Sequence, residues 1–108
     1  MELVKEIYVL TNTFPKDEMY ALTSQIKRAA VSVPSNIAEG IGRNYRKDSI
    51  QFFHISRGSL YELDTLLNIA KTIEILPKKN FDELSSILDA CVMMVNGLIK
   101  YFEKADLK

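Results

Sequence analysis

Few residues in this 108-residue chain could do chemistry: one histidine (His54), one cysteine (Cys91), and a short cluster of Arg43, Tyr45, Arg46 and Lys47. A metal centre needs several ligands at set spacings, and His54 has no second ligand near it in sequence. Cys91 falls within an apolar seam, where a thiol usually packs inertly. No phosphate-cradling glycine loop and no nucleophile–base–orienter set can be assembled. These observations point away from catalysis, from a resident metal and from a small-molecule cofactor. The cluster at 43–47 has a different chemistry, because cations beside an aromatic ring can neutralise phosphates while the ring stacks on a base.

The charge distribution gives that cluster a setting. Lys plus Arg and Asp plus Glu total 14 each, so the formal net charge is zero and a globally basic nucleic-acid binder is excluded. Between Lys27 and Arg57, however, six basic residues (Lys27, Arg28, Arg43, Arg46, Lys47, Arg57) stand against two acids, Glu39 and Asp48. Binding to RNA or DNA would rest on this local patch. The alternative is a solvated, charged turn with no ligand.

The elements that must position these residues are helical. Leu3, Ile7, Leu10 and Phe14 recur at helical spacing, and Phe14-Pro15 ends that run because the residue before proline is pushed away from helical dihedrals. Pro15, with Asp17 and Glu18 behind it, suits the opening of a second helix. Asp48 and Gln51 have capping-box spacing for a third, closed by Pro77. Phe81, Leu84, Leu88, Cys91, Val95, Leu98 and Phe102 form a heptad seam for a fourth. The pattern predicts helices over about 2–13, 16–43, 48–76 and 79–104, in one domain spanning 1–108. Short connections favour an all-α, antiparallel up-down-up-down four-helix bundle.

Pro34 interrupts the second helix in composition but not in phase. Leu22, Ile26, Ala29, Ala30, Val33, Ile37, Gly40 and Ile41 stay within one arc when residues are placed at about 100° intervals. The register therefore predicts a continuous, proline-kinked helix. The rival reading has Asn36 capping a new helix, with Glu39 completing a capping box. Gly40 and Gly42 are expected to weaken the end of this segment, and Asn44 to stop it.

Two polar features remain. The second helix carries Arg28, Ser32, Asn36, Glu39 and Arg43 opposite its apolar arc, and the third has Ser59 and Glu62 within its own. A buried carboxylate needs a partner or a raised pKa. The expectation is thus a structural polar cluster of Arg28, Ser32, Asn36, Glu39, Ser59 and Glu62; otherwise Glu62 lies at the arc's edge and reaches water.

The single cysteine fits a reducing compartment, and no uninterrupted apolar run approaches the ~20 residues that span a bilayer. A cytoplasmic protein without membrane association is the expectation. The predicted first helix is shorter than its neighbours and cannot cover them, so apolar surface should remain for a partner or an N-terminal extension.

The stretches "LTSQIKRAAVSVPSNIAEGIGR" (22–43), "GSLYELDTLLNIA" (58–70), "IYVLTNTFPKDE" (7–18) and "NGLIKYF" (96–102) closely resemble the 23S rRNA-intervening-sequence protein family. The resemblance implies an up-and-down four-helix bundle whose second helix carries the proline, assembled as a ring-shaped homopentamer. It also implies kinship with pentameric accessory proteins of diversity-generating retroelements, which bind nucleic acid and a reverse transcriptase. No enzymatic activity or cofactor goes with it. By this resemblance the chain starts partway into the family's first helix, and its zero net charge departs from the strongly basic retroelement proteins. Two functions stay open: an oligomeric accessory factor binding RNA or DNA through Arg43, Tyr45, Arg46 and Lys47, or a structural adaptor whose assembly binds another protein. Ile87, Met94 and Tyr101, a second seven-residue stripe, are compatible with the adaptor, although a broad stripe of this kind is more often plain core.

Overall fold

The computed structural model describes residues 1–15 and 20–104. Four helices account for most of them: α1 (Glu2–Thr11), α2 (Tyr20–Ile41), α3 (Arg46–Thr72) and α4 (Lys78–Lys104), with no strand among the described residues. The molecule is elongated, 49 × 22 × 18 Å, as expected when the longest helices have 27 residues and rise about 1.5 Å per residue. α2 packs most extensively on α3, then α3 on α4, while α1 bridges α2 and α4.

Local chemistry sets the ends, and several differ from the sequence pattern. α1 stops at Thr11, where the backbone N–H of Thr13 and the hydroxyl of Thr13 both donate to the Leu10 carbonyl. Phe14 then folds back into the core. The expected opening of the second helix at Lys16, Asp17 and Glu18 lies outside the described residues. At its other end α2 finishes at Ile41 rather than 43, its last turn closed by the Gly42 N–H on the Ala38 carbonyl.

α3 begins two residues earlier than the Asp48–Gln51 spacing predicts. Its N-cap is Tyr45, in extended backbone and without a side-chain cap bond, so the capping box is not used. Asp48 instead sits in the first turn, where a carboxylate suits the positive end of the helix dipole. α3 also ends earlier, at Thr72 instead of 76. Glu74 adopts a left-handed conformation (φ 66), its N–H donates to the Lys71 carbonyl, and the Ile75 N–H donates to the Ala70 carbonyl. That is a Schellman closure, which a sequence search for glycine overlooks. It turns Leu76 back into the core before Pro77.

One apolar core joins all four helices. It includes Leu3 and Ile7 of α1, Ile26 and Val33 of α2, Phe53, Leu60, Leu63 and Leu67 of α3, and Leu84, Leu88, Val95 and Ile99 of α4. Phe53 meets Phe102 edge to face at 4.9 Å, tying α3 to α4. In the predicted α4 seam, Phe81, Cys91 and Leu98 are only half-buried.

Pro34 lies inside α2, which continues on both sides of it. The proline removes one N–H from the helix ladder, and neighbouring side chains add hydrogen bonds around it. Ser56, fully buried on α3, donates its hydroxyl to the Val33 carbonyl at 2.9 Å, and Asn36 Nδ2 donates to the Ser32 carbonyl at 2.8 Å. Gly40 has a packing role rather than a terminating one. A Cβ there would stand 2.6 Å from Phe53 Cε1 and 2.9 Å from the Ser49 carbonyl oxygen.

Two substitutions test this account in opposite directions. Gly40→Ala should destabilise the fold by about 1–3 kcal/mol, the usual cost of overpacking a tight contact. Glu74→Gly should stabilise it by roughly 1 kcal/mol, because glycine adopts the left-handed cap without a Cβ clash. Urea unfolding followed by circular dichroism measures both; an unchanged midpoint in either variant contradicts the corresponding contact.

Candidate nucleic-acid interface

The turn between α2 and α3 gathers the basic cluster, and its members have different roles. Arg43 is engaged with its own surroundings: Nη2 lies 3.1 Å from Glu39 Oε2, and the guanidinium sits 4.6 Å from the Phe52 ring centroid. This side chain pins the end of α2 to the first turns of α3. Tyr45 is 68% exposed, so its ring stands in solvent at the N-cap of α3. Arg46 is half-buried and Lys47 exposed.

Tyr45, Arg46 and Lys47 line an open cleft of about 440 Å³ together with Ile50 and Glu103. The last two were missed in sequence. Glu103 is remote in the chain and enters because the last turn of α4 reaches the α2–α3 turn; no local charge count could reveal it. Ile50 gives the cleft an apolar wall beside the Tyr45 ring. The lining combines two cations, an aromatic and an aliphatic side chain, and a single carboxylate.

The polar cluster expected between α2 and α3 is smaller than the pattern implied. Ser32 Oγ and Ser59 Oγ are 2.8 Å apart, Asn36 Nδ2 reaches Ser32 Oγ at 2.9 Å, and Ser59 Oγ lies 3.2 Å from the Ile55 carbonyl. One direction uses each hydroxyl proton once: Asn36 donates to Ser32, Ser32 to Ser59, and Ser59 to the backbone of α3. Arg28 and Glu62 take no part in it, for both are exposed, and Glu39 pairs with Arg43 instead. The reason lies in the arc itself. Ile55, Ile69 and Ile73 beside Glu62 are 46%, 44% and 47% exposed, so this side of α3 is a surface stripe and the Glu62 carboxylate keeps its hydration.

The remaining chemical residues are engaged structurally. Arg57, counted among the basic residues, donates from Nη1 to Asn96 Oδ1 of α4 at 2.8 Å, and its Nη2 lies 2.8 Å from His54 Nδ1. With the guanidinium as donor, His54 Nδ1 is the acceptor. Burial pushes the Cys91 thiol pKa up, and the nearby Glu2 charge adds to the effect, so the reactive thiolate is disfavoured. Among the described residues no three His, Cys, Asp or Glu side chains come together as a metal site.

α4 adds a property that a search for uninterrupted apolar runs does not register. By length and composition alone it is apolar enough to cross a membrane, with mean hydropathy 1.3 over its most apolar window, of which 22% is buried. Asp89 and Lys100 interrupt that stretch, and Leu84, Leu88, Val95, Ile99 and Phe102 form a single buried face. The composition is that of a strongly amphipathic helix whose apolar surface extends beyond the core. Exposed Met93, Met94 and Tyr101 mark that extension.

No curated protein matches the chain. A family model described as 23S rRNA-intervening sequence protein matches residues 1–97, thus including α1, α2, α3 and most of α4. That match spans the Pro34 helix and the whole α2–α3 turn, and the chain belongs to the 23S rRNA-intervening sequence protein family.

Proposed function

We propose that this chain is a non-enzymatic accessory protein that assembles with copies of itself and binds RNA or DNA through the rim formed by the α2–α3 turn. The observation that carries the reading is the gathering of Tyr45, Arg46 and Lys47 around one open cleft in a chain of zero net charge. A homopentameric ring, which the family resemblance implies, would repeat the rim and sum its field. Arg43 contributes charge at the edge while holding the turn in place. The reading sets the protein in the cytoplasm, in keeping with one unpaired cysteine.

Within each chain the helices run up-down-up-down, each antiparallel to the next. Contacts between α2 and α3 support this: Gly40 approaches Phe53, Val33 meets Ser56 and Ser32 meets Ser59, so one number falls as the other rises. The same holds between α3 and α4 for Phe53 with Phe102, Arg57 with Asn96, and Lys71 with Phe81. Pro34 bends α2 within this arrangement, and the bend opens its Ser32–Asn36 side toward α3. The exposed isoleucine stripe of α3 and the methionines of α4 favour burial against other protein, which supports self-assembly and also the adaptor reading.

Two measurements bear on this. Affinity for a single-stranded or duplex oligonucleotide should fall roughly tenfold or more between 50 and 200 mM salt, the slope expected for about three phosphate contacts. Arg46→Glu with Lys47→Glu should abolish that binding with helical content intact; salt-independent affinity, or full binding by the double variant, would contradict the rim. Mass measurement in solution should give an oligomer, which Pro34→Ala perturbs more than it perturbs helical content. A monomeric parent protein would remove the ring, and an oligomer lost on nuclease digestion would make nucleic acid its scaffold.

A further inference from the structure

We infer that the cleft at the α2–α3 turn is a nucleotide slot for single-stranded RNA or DNA, in which one unpaired base stacks on Tyr45 while its phosphate lies on the Arg46–Lys47 side. The inference rests on the proposed nucleic-acid rim and names the form of its ligand.

Cations alone would accept duplex and single strand alike, since both present phosphates. The cleft has more than cations. Tyr45 is 68% exposed although it is an aromatic residue at a helix start, where its side chain makes no capping bond. Its ring is thus not used as a cap and stands largely on the surface. Half-buried Ile50 lines the same cleft, so a flat apolar ring entering there finds aliphatic as well as aromatic surface. The site is a shallow, open depression of about 440 Å³, which can receive one face of a base without enclosing it.

Glu103 fixes the orientation. Its carboxylate would repel a phosphate placed against the end of α4, leaving the Arg46–Lys47 side for the backbone. A base edge, by contrast, carries N–H donors that a carboxylate can accept. A paired base has that edge occupied and its faces covered by neighbours, so a duplex cannot enter the slot. Unpaired bases can be splayed out and stacked on aromatic side chains.

The test uses the full chain, a fluorescein-labelled mixed-sequence single-stranded RNA and the duplex of the same sequence, followed by anisotropy at low salt. Single strand should bind tighter than duplex. Tyr45→Ala should weaken the single strand by roughly 5- to 150-fold, the usual value of stacking one base, and leave the duplex unaffected. Tyr45→Phe should keep the affinity, and Lys47→Glu should weaken both forms. The chain has no tryptophan and five tyrosines, so base stacking on Tyr45 should quench part of the tyrosine emission of the parent protein. Unlabelled RNA supplies that measurement, and it does not depend on any variant folding. If Tyr45→Ala binds single strand like the parent while Lys47→Glu loses both forms, the slot is wrong and the electrostatic rim stands. Saturating single strand with no quenching likewise overturns the slot. If the parent binds neither form, the rim and the slot both fall.

Discussion

The approach of α2 to α3 is the constraint around which the rest of the molecule is arranged. Gly40 lets the Phe53 ring and the Ser49 carbonyl come where a Cβ could not stand, and Phe53 in turn meets Phe102 of α4. One missing side-chain atom thereby couples three helices. Further along the same pair, Ser56 bonds the Val33 carbonyl beside Pro34. Proline inside a helix costs about 3 kcal/mol, so α2 persists only because packing on α3 offsets the loss. Ser32 and Ser59, with hydroxyl oxygens 2.8 Å apart, continue the close approach along the same pair.

The turn inherits its geometry from this packing. α2 must end and α3 begin within four residues, and Arg43 fastens the junction through Glu39 and the Phe52 face. Tyr45 enters α3 in extended backbone, which leaves its ring outside while Arg46 and Lys47 follow on the first helical turn. The rim thus stands on two long helices that meet tightly just behind it. Such support suits a binding surface, since groups carried on packed elements lose less freedom when a ligand arrives.

Much of this architecture was legible in the sequence, and the unread parts have physical causes. Four helices follow from apolar spacing, and the continuity of α2 through Pro34 follows from unbroken phase. The ends were harder. The Schellman closure at Glu74 uses a residue type that rarely takes the left-handed conformation, and the start of α3 at Tyr45 is set by the packed turn rather than by a capping side chain. At the site, Arg43, Tyr45, Arg46 and Lys47 are sequence neighbours and were visible as a group. Glu103 arrives from the far end of the chain and was not. Glu62 misled for a different reason: periodicity identifies an apolar arc but does not say how much of it one chain can cover.

That last point bears on assembly. α1 has 10 residues against 27 in α4, roughly 15 Å of helix beside 40 Å. It cannot shield the full length of its neighbours, and the exposed apolar residues Ile55 and Ile69 of α3, Ile73 at its C-cap, and Met93, Met94 and Tyr101 of α4 belong to faces that no helix among the described residues covers. Scattered apolar residues are ordinary on a surface, but stripes at helical spacing are the form that another helix can bury. The same surplus gives α4 its membrane-like composition, since only 22% of its most apolar stretch is buried within the chain. The α2–α3 pair is the tightly packed part of the molecule, while the outer faces of α3 and α4 keep apolar side chains in solvent. Joining such units through their outer faces, as the proposed assembly does, would leave the α2–α3 turn undisturbed.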